Sequence, residues 1–131
     1  MPQPFKELLK DGVISFYVQV KGPKNVRIIK MAMDSGASYT IIPIETAMAI
    51  GYNPTLAKRH IEITTASGIV IVPVIKVQSI TCLGHEIKNL EIICHDLPTQ
   101  SPVKGLLGLN FLVHFPPFAK FLKEVDHIAN V

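Results

Sequence analysis

The stretch MAMDSGASYTIIP, residues 31–43, places a carboxylate between two apolar runs. Asp34 follows one apolar run, Ser35 and Gly36 come next, and the chain then returns to a second apolar run. Aspartate, serine and glycine are all common in ordinary turns, so the tripeptide alone is compatible with a plain β-turn. A turn between two buried strands has another use, because it can hold a carboxylate at the edge of the core as the working group of a site. The surrounding sequence has to distinguish these two interpretations.

Length and composition indicate one folded domain, residues 1–131. Of the 131 residues, 48% are hydrophobic and 18% are charged, a balance that argues against disorder. A chain of this size can bury a core without disulfides or metal ions. The apolar excess also indicates that another subunit covers part of the surface. The net charge is only +3 and the basic residues stand singly or in pairs, so nucleic-acid binding is not expected.

Neither a targeting segment nor a membrane span is predicted. The N-terminal residues lack the apolar stretch of a signal peptide. The longest apolar run, IVIVPVI at residues 69–75, contains a proline and is much shorter than the roughly 20 residues of a membrane-spanning helix. The two cysteines, Cys82 and Cys94, are too few for a disulfide framework. These features predict a cytoplasmic protein.

Most of the chain has the pattern of β-strands joined by turns. Residues 13–20, VISFYVQV, are rich in β-branched and aromatic side chains, and one face of this strand carries Ile14, Phe16, Val18 and Val20. Further strands are predicted at residues 26–33 and 38–43, on both sides of the TASG turn at 65–68, and on both sides of a turn at Leu83-Gly84-His85. The predicted fold class is therefore mostly β.

One or two short helices complete the prediction. Residues 44–52 combine helix-forming residues with a glycine stop at Gly51. The segment 101–112 is expected to begin as a loop and to become a short helix after Gly105 or Gly108.

Three features in a fixed order connect Asp34 with a known family. An apolar strand leads into the turn Asp34–Ala37, the small-residue hairpin tip Thr65–Gly68 lies downstream, and Leu106–Gly108 follows. In this order and spacing, the chain resembles the retropepsin-like aspartic proteases, single-lobe relatives of pepsin, over roughly residues 13–115. The resemblance implies a retropepsin-like single-lobe acid-protease barrel.

The resemblance also implies a role for each part of the pattern. Asp34 would be the catalytic residue of an aspartic endopeptidase that uses no cofactor and no metal ion. Such hydrolysis needs two carboxyls that share a proton and activate a water molecule. No other aspartate precedes a hydroxyl residue and a glycine, so the second carboxyl would be Asp34 of a twin chain in a homodimer. The loop supporting the site would contain Ser35, Gly36 and Ala37, and the flap over a peptide or protein substrate would contain Thr65, Ala66, Ser67 and Gly68.

The walls of the substrate site are expected on the strands beside the turn and the flap. Ile42, Ile69 and Ile71 are the candidates. They predict a preference for apolar side chains next to the scissile bond.

Other candidate sites have weaker support. Cys82, His85, Cys94 and His95 are metal-ligand residue types, but Cys94 and His95 are adjacent on a predicted strand and would point to opposite faces. A disulfide between Cys82 and Cys94 across their hairpin is sterically possible, although a reducing cytosol disfavours it. No Gly-x-Ser-x-Gly elbow and no glycine-rich phosphate loop occurs in the sequence.

The C-terminal extension, residues 116–131, departs from the family pattern. In viral members the terminal strands interlock in the dimer, whereas here Pro116 and Pro117 exclude a central strand. Apolar residues at helical spacing follow the prolines, namely Phe118, Phe121, Leu122, Val125 and Ile128. They predict an amphipathic helix from about 117 to 128, which packs on its own domain or contributes to the dimer contact.

That departure leaves a second function open. The chain could be a non-catalytic dimerisation or peptide-binding module that keeps the fold, with Asp34 as a relic. The presence of Asp34, Ser35, Gly36 and the flap glycine Gly68 together favours catalysis, since a relic has no physical need for all four.

Overall fold

The structure, a computed structural model, describes residues 13–129, with side chains as far as residue 124. In this part of the chain, seven strands form one sheet. The strands are β1 (Ser15–Lys21), β2 (Val26–Met33), β3 (Thr40–Ile42), β4 (Arg59–Thr65), β5 (Gly68–Cys82), β6 (His85–Cys94) and β7 (Gly105–Leu107). Their order is β1-β2-β7-β3-β6-β5-β4, and an additional pairing of β1 with β5 closes the sheet on itself. The prediction of a mostly-β fold is confirmed.

Three helices are present in the described part of the chain, one between β3 and β4 and two after β7. They are α1 (Ile44–Ala49), α2 (Leu109–Leu112) and α3 (Pro116–Ala129), with a single 3-10 turn at Pro54–Leu56. Helix α1 ends before Gly51, whose φ of +110° is the left-handed conformation that a glycine stop requires. The carboxylate of Asp96 accepts the backbone N–H of Ile44 at 3.0 Å, which satisfies one free donor at the start of α1. None of the helices within residues 13–129 is long and apolar enough to cross a bilayer.

The β1–β2 hairpin follows the alternation of its sequence. Phe16, Val18 and Val20 are buried in the main core, whereas Tyr17 between them is 74% exposed. Val18 lies opposite Ile29 of β2 in the antiparallel register. The predicted apolar face of β1 is therefore confirmed.

Two further hairpins share the long strand β5. Its first half pairs with β4 and its second half with β6. Gly68 has a φ of +115° at the first turn, and Leu83 and Gly84 have φ values of +48° and +79° at the second. Two successive residues with positive φ are typical of a type I′ hairpin turn. Among the described residues, β4 pairs only with β5, so the other edge of β4 is unpaired.

Strand β7 is the element that the sequence does not predict. Gly105–Leu107 forms a short buried strand parallel to β2 and antiparallel to β3, where a loop was expected. A Cβ on Gly105 would lie 2.4 Å from the carbonyl oxygen of Ile41, so the close approach of the strands requires glycine. The short helix α2 does follow Gly108, as one of the two alternatives predicted.

Two apolar clusters fill the interior. The larger one contains the inner face of β1 and the aromatic rings of Phe111 and Phe115, and Phe118 and Phe121 of α3 pack against it. The smaller cluster lies between β3, β5 and β6 and consists of Ile41, Val72, Val74 and Ile93. Helix α3 thus packs, through its first turns, on the domain to which it belongs.

The two cysteines lie far apart in the β5–β6 hairpin. Cys82 lies opposite His85 beside the turn, whereas Cys94 is the last residue of β6. His85 and Cys94 are the two ends of the 10-residue strand β6, a distance of about 30 Å at the usual rise per residue. The sequence-based view that a Cys82–Cys94 disulfide is sterically possible is therefore wrong, and both thiols are free.

Candidate active site

Asp34 stands directly after β2, at the point where the chain leaves the sheet. Its backbone N–H donates to the carbonyl oxygen of Leu107 in β7 at 3.0 Å, and its own carbonyl accepts the N–H of Ala37 at 3.2 Å. The Asp34 carboxylate accepts the N–H of Gly36 at 2.9 Å. A side chain bonded to the backbone two residues ahead is an Asx turn, which fixes the direction of the carboxylate. Asp34 is half-buried, while Ser35 and Gly36 are exposed.

The start of α2 supports the loop that follows Asp34. The N–H groups of Leu109 and Asn110 donate to the carbonyl oxygens of Ala37 at 2.7 Å and Ser38 at 3.2 Å. A Cβ on Gly108 would lie 2.3 Å from the carbonyl oxygen of Tyr39, so a larger residue would push the loop away. The glycine of the Leu-Leu-Gly motif is therefore a packing requirement of this loop.

Thr40 and Asn110 also hold the loop, and the sequence did not point to them. The Asn110 amide oxygen accepts from the backbone N–H of Thr40 at 2.9 Å and from its hydroxyl at 3.0 Å. The Thr40 hydroxyl oxygen in turn accepts the N–H of Gly108 at 3.1 Å. A threonine in a strand and an asparagine in a helix are ordinary residues, and only their contact across 70 positions reveals the network.

A cleft of about 430 Å³ lies against Asp34. One side of the cleft is formed by the loop after β2 and the other by β4, with β3, β6 and β7 contributing to its walls. The lining residues are Asp34, Gly36, Ala37, Ser38, Tyr39, Ile41, Ile61, Glu62, Ile63, Thr64, Ile93 and Leu106. A half-buried carboxylate beside isoleucine and leucine side chains can act on an extended apolar ligand.

The predicted pocket walls differ from those in the structure. Ile42 is fully buried and faces the main core, so it cannot contact a ligand in the cleft. Ile69 and Ile71 are each 69% exposed and are not among the lining residues. The prediction failed because the twofold alternation of a strand identifies two faces without telling which one faces the site. The residues of β4 that line the cleft are instead Ile61, Glu62, Ile63 and Thr64.

The hairpin tip lies beyond the lining of the cleft. The lining residues of β4 end at Thr64, directly before the tip Thr65, Ala66, Ser67 and Gly68. The Thr65 hydroxyl donates to the carbonyl oxygen of Gly68 at 2.9 Å and accepts the N–H of Ser67 at 3.2 Å. The tip is therefore closed by its own side chain rather than by contact with the loop of Asp34.

Glu62 is a second acidic residue at the cleft, and it too was missed by sequence reasoning. It is exposed and lies opposite Ile71 in the β4–β5 pairing. Residues directly opposite one another in a sheet share a face, so Glu62 projects on the exposed face of Ile71. Ile61 and Ile63 on either side of Glu62 pack against the smaller core cluster beneath the cleft. Strand geometry thus directs the Glu62 carboxylate away from that cluster.

The cysteine and histidine residues do not assemble into a site in the described part of the chain. Among the side chains that the structure describes, those of residues 13–124, no group of three or more His, Cys, Asp or Glu is close enough to hold a metal ion. Burial raises the pKa of Cys82 to about 12. The pKa of Cys94 is also raised to about 12, mainly by burial and to a lesser extent by the nearby Asp96 carboxylate. Thiols with such pKa values stay protonated at neutral pH and are poor nucleophiles and metal ligands.

Comparison with known proteins agrees with this geometry. A family model named for the aspartyl protease of gag polyproteins matches residues 20–114. Among solved structures, a retropepsin-like aspartic protease from Rickettsia conorii is similar, with 28% sequence identity and a TM-score of 0.63, and the match covers 81% of this chain and 74% of the other. A search of curated proteins found no match. The predicted retropepsin-like fold is confirmed, and the chain belongs to the family of retropepsin-like aspartic proteases.

Proposed function

We propose that this protein is an aspartic endopeptidase in which Asp34 activates the attacking water. The observation that carries the proposal is the environment of Asp34: a half-buried carboxylate, oriented by the Gly36 N–H at 2.9 Å, lines the cleft. A fixed carboxylate can accept a proton from a water molecule held between it and a peptide carbonyl. Membership of the aspartic protease family supports the same reaction.

The reaction requires a second carboxyl group that keeps its proton and donates it to the carbonyl oxygen. Two carboxyls in contact share one proton because both cannot be ionised together. Besides Asp34, the aspartate whose side chain the structure describes is Asp96, which caps α1 through the Ile44 N–H at 3.0 Å and does not line the cleft. We therefore infer that the second carboxyl is Asp34 of an identical chain, related by a twofold axis at the site. In this homodimer the exposed Ser35 would connect the two loops.

The flap role assigned to Thr65, Ala66, Ser67 and Gly68 is part of the proposal. Strand β4 leads from the cleft to this tip, and among the described strands it pairs only with β5, so an extended peptide can add to its other edge as a further strand. The hairpin tip would then cover the bound peptide and exclude water from the reacting atoms.

The cleft walls favour apolar substrate side chains. Ile41, Ile61, Ile63 and Leu106 present aliphatic surface next to the loop of Asp34. A buried apolar contact stabilises a bound side chain by roughly 25 cal/mol per Å² of apolar surface removed from water. We expect cleavage between apolar residues of an extended peptide or protein segment, in the cytoplasm.

The test is cleavage of a broad peptide library between pH 4 and pH 7 by the wild type and the Asp34→Asn variant. We expect cleavage by the wild type and a loss of about three orders of magnitude or more in the variant, because the amide cannot accept the proton. Glu62→Gln is the matched control, since it neutralises the other carboxylate at the cleft and should retain activity.

Two results would contradict the proposal. Equal cleavage by wild type and Asp34→Asn would remove Asp34 from the chemistry. Peptide binding without cleavage by either protein would favour the non-catalytic peptide-binding module instead.

A further inference from the structure

Three side chains form a bridge at one end of the cleft. Arg59, the first residue of β4, donates through Nη2 to the hydroxyl oxygen of Tyr39 at 2.9 Å. Its other terminal nitrogen, Nη1, donates to the carboxylate of Glu91 in β6 at 2.5 Å. The guanidinium carbon lies 5.9 Å from the centre of the Tyr39 ring, within the range of a cation–π contact.

The bridge joins the two sides of the cleft. Tyr39 belongs to the loop that begins at Asp34, and it lines the cleft. Arg59 stands two residues before Ile61, where β4 begins to line the opposite side. The contact between Arg59 and Tyr39 therefore connects β4 on one side of the cleft with the loop of Asp34 on the other.

The bridge is anchored through a second route. Glu91 binds Arg59 through its side chain, and its backbone carbonyl accepts the Asn110 amide N–H at 2.6 Å. Asn110 also holds the backbone and hydroxyl of Thr40, the residue next to Tyr39. The main chain beside Tyr39 and the hydroxyl at the end of its ring are thus both tied to Glu91. These hydrogen bonds restrict the rotation of the Tyr39 ring away from the cleft wall.

Global stability does not explain the bridge. The side chains of Arg59 and Glu91 are 50% and 44% exposed, and exposed ion pairs contribute little to the free energy of unfolding. What the contacts do define is the orientation of one aromatic ring at a binding surface. Arginine suits this task because its planar fork can donate to two acceptors at once.

We propose that Arg59 is a positioning residue that fixes Tyr39 as a wall of the cleft and thereby limits the size of the substrate side chain accepted there. The inference rests on the proposed peptidase function. Removal of the guanidinium would free the ring and widen this end of the cleft, while leaving Asp34 and its hydrogen bonds unchanged.

The test compares Arg59→Met with Lys58→Met. Lys58 is the adjacent exposed cation, so both variants lose one positive charge, but only Arg59 contacts Tyr39. For Arg59→Met we expect about a tenfold shift in relative kcat/KM from small aliphatic toward large aromatic side chains, carried mainly by KM. Tyr39→Phe should shift selectivity in the same direction. The double variant, Arg59→Met with Tyr39→Phe, should show the same selectivity shift as Arg59→Met alone, because the two substitutions remove the same interaction.

A second readout does not depend on activity. Carbon-13 relaxation of the Tyr39 ring, assigned with the Tyr39→Phe variant, should report an ordered ring in the wild type and in Lys58→Met, and a mobile ring in Arg59→Met. An unchanged ring signal in Arg59→Met would overturn the inference. So would a loss of kcat and thermal stability in that variant with no change in selectivity. A wild type that cleaves no peptide would refute the proposed function instead, and the ring signal alone would then decide the role of Arg59.

Discussion

Asp34 is held by its backbone and by its side chain at the same time. Its N–H is bound to Leu107 of β7 and its carboxylate accepts the Gly36 N–H. The first contact fixes the residue relative to the sheet, and the second fixes the direction of the carboxylate relative to the loop. In the proposed reaction the carboxylate must meet a water molecule with a tolerance of a fraction of an ångström, and both restraints serve that role.

Gly36→Ala should reduce activity more than stability. A Cβ at this position would lie 3.2 Å from the Asp34 carboxylate oxygen, so the carboxylate would have to shift by a few tenths of an ångström. We expect kcat to fall roughly tenfold, since displacement of a reacting group by about 1 Å can cost about 100-fold. Steady-state kinetics and a thermal melt would check this. An unchanged kcat would contradict the role of Gly36 in orienting Asp34.

The buried thiols predict a specific dependence of stability on pH. Burial raises the pKa of Cys82 from 9.0 to about 12, so above pH 9 the thiol ionises in the unfolded chain but stays protonated in the folded one. The unfolded state then binds fewer protons, and the free energy of unfolding falls as the pH rises. Between pH 8 and pH 10, we expect the free energy of unfolding, measured by urea denaturation, to fall by about 1 kcal/mol less in the Cys82→Ala variant than in the wild type. Equal losses would contradict the burial of this thiol.

At the scale of elements, the loop of Asp34 depends on contacts from β7 and α2. Leu107 of β7 binds Asp34 itself, and Gly108, Leu109 and Asn110 bind the chain from Ala37 to Thr40. The Leu-Leu-Gly motif, residues 106–108, therefore supports the loop of Asp34 from below.

Thr40→Val tests this floor. Valine keeps the shape of threonine but removes the hydroxyl, which leaves the Gly108 N–H without its partner. Because a buried unsatisfied donor costs about 1–3 kcal/mol, we expect the free energy of unfolding to fall by that amount. Thr81→Val, at a half-buried strand position, is the control and should change it by less than about 0.5 kcal/mol. Equal stability of the two variants would show that the Thr40 hydroxyl is not part of the support.

Local sequence patterns predicted the elements that depend on local chemistry. The alternation of β1 and the glycines at positions 51 and 68 correspond to features of the structure because periodicity and positive φ are properties of short segments. Strand β7 and the Thr40–Asn110 contact were not predictable, since both depend on residues distant in sequence. The loop of Asp34 was predicted because a carboxylate, a hydroxyl and a glycine stand together in its sequence. Glu62, Tyr39 and Arg59 have no such pattern around them and look like ordinary strand and loop residues.

For the molecule as a whole, the proposed reaction requires a second carboxyl at the site. Phe118 and Phe121 of α3 pack on their own domain, so the first turns of this helix stabilise one chain. The loop of Asp34, with exposed Ser35 and Gly36, remains available for contact with a second chain. A homodimer built around this loop would bring two copies of Asp34 together, and neither chain would be active alone.

Mixing wild type with Asp34→Asn tests this claim most directly. If each active unit needs two intact carboxyls, activity at constant total protein should vary with the square of the wild-type fraction once subunits have exchanged. An equal mixture should then retain about a quarter of the activity of the pure wild type, because only dimers of two wild-type chains are complete. A linear dependence, with about half of the activity retained in the equal mixture, would mean that one chain is sufficient and would contradict the shared site.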